Sequence, residues 1–216
     1  LQSYSGFPSG GQTWSIPLFT SRLSNGLSTP LTVQNLSGGT IPTGGIVLNC
    51  KKDANSPGID FTISSLSSVA NRATYSFNPV TDSSFVSGWY GSCKVTTTSY
   101  NTAVLVQMRF VGGVEDAAYE ALNMASATTK LVVPLYAKRL TNGFATSLTI
   151  QSLSSTATAY ITLQYKGAVG TAANCTQTFY AQIAPLGGYI QNHRLAGGAG
   201  SVAILDGCYG SLIVTS

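Results

Sequence analysis

The sequence has few charged residues, and this shortage excludes several classes of protein. Asp, Glu, Lys and Arg make up 8% of the 216 residues, against about 25% in an ordinary soluble domain. The basic residues are scattered, with the densest spots at Lys51-Lys52 and Lys138-Arg139. Nucleic-acid binding needs a stripe of phosphate contacts, so we predict no nucleic-acid partner. Surfaces with little charge instead suit side-by-side assembly, because charged side chains are costly to desolvate in an interface.

The residues that catalysis or metal binding would need are also scarce. The single histidine, His193, lies in a loop-like context (QNHRLAGG) that favours a surface residue over a catalytic base. Among the acidic residues only Glu115-Asp116 are adjacent, and no paired-carboxylate spacing, nucleophile motif or phosphate-binding loop occurs. We predict no enzymatic activity, no cofactor and no metal. A Ca²⁺ site using Asp53, Asp60 or Glu115-Asp116 is a weaker alternative.

Long apolar runs are absent as well. None approaches the roughly 20 residues that a membrane-spanning helix needs, so we predict no membrane span. The chain begins at Leu1 without the basic and apolar regions of a signal peptide, which is typical of a processed or trimmed product. Hydrophobic residues at 44% are enough to build real cores, and the chain is therefore predicted to fold.

What the sequence does contain is an internal repeat. Residues 16–37 (IPLFTSRLSNGLSTPLTVQNLS) match residues 133–154 (VPLYAKRLTNGFATSLTIQSLS) at 12 of 22 positions. The match resumes at residues 46–51 against 161–166 and at 89–95 against 208–214. Upstream, Tyr4 in SYSGF pairs with Tyr119 in AYEAL. The chain therefore contains two copies of one module.

Each copy consists of short, β-branched and aromatic segments separated by turn residues such as Asn25-Gly26 and Asn142-Gly143. Strands at this spacing indicate an all-β fold with two tandem immunoglobulin-like β-sandwich domains. The predicted domains are an N-terminal segment (1–14), copy one (15–112), a linker (113–130) and copy two (131–216). The linker contains Glu, Ala, Leu and Met, which favour a turn or two of helix.

Copy two is predicted to lack its final strand. In copy one the segment 93–97 is followed by residues 103–111 (AVLVQMRFV), a near-continuous apolar run, whereas the equivalent segment of copy two is 212–216. A sandwich without this strand exposes an apolar groove and a row of unpaired backbone groups. Each apolar side chain that fills such a groove is worth about 1.5–3 kcal/mol.

We expect another chain to supply the missing strand by β-augmentation. The predicted donor is the N-terminal segment, above all residues 1–7. The predicted assembly residues are Leu1, Tyr4 and Phe7 on the donor and Leu212 and Val214 on the acceptor. A receiving end and a giving end on every subunit would build an open homopolymer. Two alternatives stay open: the sequence is a trimmed piece of a longer repeat array, or copy two manages with six strands.

The four cysteines divide into two per copy. Cys50 and Cys93 lie in copy one, and Cys175 and Cys208 lie in copy two. The two pairs do not coincide in the repeat alignment, which predicts a separate disulfide within each domain. Each could contribute on the order of 4 kcal/mol. Disulfides place the protein outside the cytoplasm.

Carbohydrate is the alternative partner. Exposed aromatic residues can stack on sugars, although in a β-sandwich they more often pack the core or an interface. The candidates are Trp14, Trp89, Tyr90, Tyr100 and Tyr209. Two glycosylation sequons also occur, beginning at Asn35 and Asn174. The alternative function is a cell-surface adhesin or carbohydrate-binding module.

These motifs resemble the tandem β-sandwich repeats of secreted surface proteins in filamentous thermophilic bacteria of the Chloroflexota type. The matching elements are residues 31–37, 210–216, 103–111 and 4–7. The resemblance implies an extracellular or cell-surface role and brings no catalytic residues. We accordingly predict a structural subunit of an extracellular filament or surface layer. The absent final strand in copy two is the departure from the repeat pattern.

Overall fold

The computed structural model describes residues 10–112, 116–195 and 204–216. Over these residues the protein is all-β, with antiparallel sheets that pack as β-sandwich-like domains, which confirms the predicted fold class. The immunoglobulin-like assignment stays a prediction. The chain divides into two compact units. The first runs to Ser126 and includes Leu186–Gly188, and the second contains Ala127–Pro185 and Tyr189–Ser216.

The first unit contains copy one. Its strands are β1 (Thr13–Ser21), β2 (Leu27–Ser28), β3 (Leu31–Asn35), β4 (Ile46–Lys52), β5 (Phe61–Ser64), β6 (Thr74–Phe77), β7 (Trp89–Thr97), β8 (Thr102–Phe110), β9 (Asp116–Glu120) and β10 (Leu122–Asn123). One sheet has the order β10-β1-β7-β4-β5. The other has the order β2-β8-β3-β6, with β9 paired to β8. A 3₁₀ turn, η1 (Met124–Ser126), follows β10.

The second unit contains copy two. Its strands are β11 (Lys130–Ala137), β12 (Ser147–Gln151), β13 (Ala159–Gly167), β14 (Gln177–Ile183), β15 (Gly188–Asn192) and β16 (Tyr209–Thr215). A 3₁₀ turn, η2 (Ala173–Cys175), precedes β14. One sheet has the order β11-β16-β13-β14, and the other consists of β12 and β15.

The duplication is visible in the local geometry. The register of β1 against β7 shifts between Ile16 and Phe19, and that of β11 against β16 shifts between Val133 and Tyr136. A proline occupies each bulge, where a missing backbone N–H is tolerated. The turns that follow match as well, because Gly26 and Gly143 both have φ = +83°. The two copies therefore start from the same backbone framework.

Alternation of apolar and polar side chains directs one face of each strand into a core. In β3, Leu31 and Val33 are fully buried and Gln34 is exposed. In β13, Ile161, Leu163 and Tyr165 are buried. Each unit has its own cluster of buried apolar residues.

The predicted linker is not helical over its described residues. Residues 116–120 and 122–123 form strands of the first unit, and the helical content is limited to the three-residue turn η1. Tertiary pairing with β8 and β1 overrides the helix propensity of its Ala, Glu and Leu residues. No described helix is long and apolar enough to cross a membrane.

Candidate functional site

In copy one, strands β1 and β3 each pair on one side with residues that follow β7 in the chain. β8 pairs with β3, placing Val106 opposite Leu31 and Val104 opposite Val33. β10 pairs with β1, placing Asn123 opposite Trp14 and Leu122 opposite Ser15. The backbone N–H of Ala121, between β9 and β10, donates to the carbonyl of Val104 at 2.9 Å. We call residues 102–112 and 116–123 the cover of copy one.

Tyr119 and Ala121 attach this cover to the core. Ala121 is buried, and Tyr119 packs against the core cluster. The Tyr119 hydroxyl donates to the backbone carbonyl of Leu18 in β1 at 3.1 Å. Burial raises the pKa of Tyr119 far above its usual range, so the group stays neutral and remains a donor. The cover is thus held by side-chain packing as well as by backbone pairing.

Copy two has no equivalent of this cover among its described residues, and its apolar side chains are exposed where those of copy one are not. Leu131 occupies the position of Trp14 and is 46% exposed, whereas Trp14 is 3% exposed. Val132 is 61% exposed and its counterpart Ser15 is 1% exposed. On β11, β12 and the segment between them, the exposed or half-buried apolar residues are Leu131, Val132, Leu135, Phe144 and Leu148. We call these five residues the apolar rim of copy two.

Two strand edges adjoin the apolar rim. Among the described residues β11 pairs with β16 alone, whereas its counterpart β1 lies between β7 and β10. Within the described residues β12 likewise pairs with β15 alone, whereas its counterpart β3 lies between β8 and β6. An uncovered strand edge presents backbone N–H and C=O groups that can pair with another strand. Copy two therefore combines two open edges with exposed apolar side chains.

The residues predicted as strand acceptors do not lie on an unpaired strand edge. Leu212 and Val214 lie in β16, which pairs with β11 on one side and β13 on the other. Both side chains are buried in the core of copy two, so neither is accessible to a partner strand. The sequence argument failed because β7, the counterpart of β16, and β8 belong to different sheets although they are consecutive in the chain.

The predicted donor residues Leu1, Tyr4 and Phe7 lie outside the described residues. Their contribution to assembly stays a prediction.

The structure contains both predicted disulfides. Cys50 and Cys93 lie directly opposite each other on β4 and β7. Cys175, at the end of η2, is joined to Cys208, immediately before β16. Both bonds are buried. Disulfides are typical of proteins outside the reducing cytoplasm, so the protein is assigned to a non-cytoplasmic compartment.

His193 is buried, which corrects the prediction of a surface residue. It is 1% exposed, its Nε2 lies 3.0 Å from the Tyr165 hydroxyl and its Nδ1 lies 3.2 Å from the Thr146 hydroxyl. Burial and the nearby Lys138 charge lower the pKa of His193 to about 4. The Lys138 ammonium donates to the carbonyl of Leu195, and burial lowers its pKa. The sequence did not reveal this cluster because its members are widely separated in the chain.

The acidic residues do not gather into a metal site. Among the described residues, no group of three or more His, Cys, Asp or Glu side chains could hold a metal ion. Asp60 instead accepts a hydrogen bond from the Lys51 ammonium at 2.6 Å. Asp53 Oδ1 accepts the backbone N–H of Asn55 at 3.0 Å. Glu115 lies outside the described residues.

The aromatic residues singled out from the sequence mainly pack the interior. Trp14 and Trp89 are buried in the core of copy one, and Tyr100 packs against it. Tyr90 is half-buried and Tyr209 is 41% exposed. The sequence argument missed Tyr160 and Tyr180, which are 69% and 80% exposed. Strand alternation in the register of β13 and β14 places both rings on the outer face of one sheet, diagonally adjacent.

The apolar rim was also missed, although a signal for it is present in the sequence. Residues 131 and 132 are Leu and Val in a repeat whose first copy has Trp and Ser at these positions. The apolar Val132 at the position of the polar Ser15 is that signal. No known protein family matches the chain, and no curated protein or solved structure matches it either.

Proposed function

We propose that the protein is a structural subunit of an extracellular filament or surface layer, joined head to tail by strand complementation. The observation that carries this proposal is the difference between the two copies. The cover pairs with β1 and β3 in copy one, whereas among the described residues β11 and β12 each have one unpaired edge. The likeness to secreted Chloroflexota-type surface repeats supports the same role.

Burial of the exposed apolar side chains would favour the binding of a partner strand. Burying an apolar side chain completely stabilises a complex by about 1.5–3 kcal/mol, and the members of the apolar rim are already partly buried. A contribution of about 1 kcal/mol from each remains for a partner to gain. Backbone hydrogen bonds along β11 and β12 would add specificity of register, as in other cases of strand addition.

A contact between unlike surfaces produces a chain of subunits. If copy two receives a segment that belongs to another part of a second molecule, the same contact can repeat without closing. The low charge of the surface suits this arrangement, because few ionised groups have to be desolvated between subunits. The two disulfides fit an extracellular location.

Negative-stain electron microscopy of the purified protein tests the proposal. We expect fibres or sheets, and we expect Val132→Lys to abolish them, because a lysine on an open edge blocks strand addition. Val169→Lys is the matched control, since Val169 is fully exposed in a turn of copy two. Monodisperse monomers of the unmodified protein under all assembly conditions would contradict the proposed function.

A second candidate function is carbohydrate binding at the outer face of β13 and β14. Tyr160 and Tyr180 are exposed there, and Thr162, Thr178 and Gln182 share this face. Aromatic rings flanked by hydroxyl and amide groups suit stacking on sugar rings. A glycan array tests this candidate: we expect hits that are lost in a Tyr160→Ala/Tyr180→Ala variant. An array without hits would remove it.

A further inference from the structure

The segment that precedes copy two in the chain completes copy one. Residues 116–123 lead into β11, yet β9 pairs with β8 and β10 pairs with β1. Copy one is thus closed by the segment that introduces copy two. The segment that introduces copy one is the candidate to close another copy in the same way.

That segment resembles the one that closes copy one. Residues 3–8 read SYSGFP and residues 118–123 read AYEALN. In this alignment Tyr4 stands where Tyr119 stands, Gly6 replaces the small buried Ala121, and Phe7 replaces Leu122. The pattern shared by the two segments is a tyrosine, a small residue two positions later and then an apolar residue.

We propose that residues 3–8 of one molecule lie along β11 of copy two in a second molecule. In this arrangement Phe7 lies opposite Val132, as Leu122 lies opposite Ser15 in copy one. The Tyr4 hydroxyl donates to the carbonyl of Leu135, as the Tyr119 hydroxyl donates to that of Leu18. This inference rests on the proposed function, and it adds the donor segment, the acceptor strand and the register.

The composition of the N-terminal segment and the exposed side chains of β11 fit this arrangement. The first 14 residues carry no charged side chain, and Phe7 would lie beside Val132, which is 61% exposed. Gly6 has only a hydrogen as its side chain, which suits a position as deeply buried as that of Ala121. Pro8 has no backbone N–H, so the pairing would end at Phe7.

The comparison with copy one also indicates that the donor segment pairs with β11 and not with β12. β12 is the counterpart of β3, which in copy one is covered by the apolar strand β8. Residues 1–8 do not resemble that run, since they contain two glycine or proline residues and a single aliphatic side chain. The donor segment therefore belongs beside β11. It takes the place that β10 has in copy one, and not the place of the final strand of residues 103–111 as expected from the sequence.

Disulfide trapping between two full-length variants tests the arrangement. All four native cysteines are paired, so an introduced cysteine is the single free thiol of each variant. We expect Phe7→Cys mixed with Val132→Cys to give a cross-linked dimer on mild oxidation. Phe7→Cys mixed with Tyr180→Cys is the control and should give no cross-link, because Tyr180 lies on β14, away from the open edge of β11.

The outcomes distinguish the inference from the proposed function. Polymers in which Phe7→Cys cross-links to Leu148→Cys and not to Val132→Cys would place the donor beside β12 and overturn the inference alone. A closed monomer from the double variant Phe7→Cys/Val132→Cys would overturn it too, because the segment would then cover its own molecule. Monomers without any cross-link would contradict the proposed function as well.

A substitution at the buried position gives an independent readout. We expect Gly6→Leu to abolish cross-linking and polymer formation, because a branched side chain does not fit where Ala121 is buried in copy one. Gln2→Leu is the matched control, since its counterpart Ala117 is exposed. Equal assembly of the two leucine variants would contradict the proposed register.

Discussion

Copy one and copy two share a framework but differ in how they are closed. Both have the same bulge in the first strand and the same turn, in which the backbone N–H of Thr20 or Ala137 donates to a threonine hydroxyl. Copy one is then closed by its cover, while in the described part of copy two β11 and β12 each have one unpaired edge. The difference shows that two copies of a repeat can share a core and differ in the pairing of their edge strands.

The disulfides show a second way in which the copies diverge. Cys50 and Cys93 face each other across β4 and β7, and the corresponding positions of copy two are Tyr165 and Leu212, which also face each other. Conversely, Cys208 stands where Trp89 stands in copy one. The covalent link has moved to another part of the domain, and the vacated positions hold apolar core residues.

Removing the disulfides tests whether they contribute equally to the stability of the two domains. The closed loops are similar in length, with sequence separations of 43 and 33, and the chain-entropy model gives about 4 kcal/mol for each. We expect Cys50→Ser/Cys93→Ser and Cys175→Ser/Cys208→Ser to lower the free energy of unfolding of their own domains by this amount. Both tryptophans lie in the first unit, so urea unfolding by tryptophan fluorescence reports the first unit and far-ultraviolet circular dichroism reports both. A loss of unfolding free energy in only one of the two double variants would show that the two disulfides do not stabilise their domains equally.

A glycine in each copy allows a close backbone approach and should be equally sensitive. A Cβ added at Gly91 would lie 2.1 Å from the Lys51 carbonyl oxygen, and one added at Gly210 would lie 2.0 Å from that of Lys166. We expect alanine at either position to destabilise its domain by about 3 kcal/mol, because backbone atoms must move. Thermal unfolding measures the loss, and Gly39→Ala, with no atom near the added Cβ, is the control.

Acid should destabilise copy two before copy one. The pKa of His193 falls from 6.5 to about 4 on folding, so the unfolded state binds more protons between these values. The stabilisation is complete above pH 6.5 and is lost as the pH falls towards 4, by up to about 3 kcal/mol. In copy one, hydrogen bonds from Ser84 lower the pKa of Asp82 below 3.8, so that contribution is lost only at lower pH. The pH dependence of urea unfolding measures both, and His193→Gln should remove the slope of copy two between pH 4 and 6.5.

The smallest expected effect concerns the attachment of the cover. Tyr119→Phe removes the hydrogen bond to the Leu18 carbonyl, and we expect copy one to lose about 1 kcal/mol. Tyr160→Phe, at an exposed position of copy two, should leave stability unchanged. Equal effects in urea unfolding would indicate that the Tyr119 contact does not hold the cover in place.

The sequence predicted the all-β fold, the repeat and the disulfide pairs, because strand alternation, turn glycines and paired cysteines are local or aligned signals. It did not reveal which strands of copy two have an unpaired edge. Residues 93–97 and 103–111 are adjacent in the chain, but β7 and β8 lie in different sheets, so the strand that loses its neighbour is β12 and not β16. His193 was misplaced for a similar reason, since its partners Tyr165 and Thr146 come from distant segments.

Hydrogen exchange at β11 tests the central claim most directly. Of the amides of Leu131 and Val132, the one that points away from β16 should exchange quickly in isolated molecules and slowly in assembled ones, because a partner strand would then occupy the open edge. The amides of Trp14 and Ser15, which lie between β7 and β10, should be slow in both states. Strong protection of both β11 amides in isolated molecules, equal to that of Trp14 and Ser15, would contradict the account of copy two as the open acceptor.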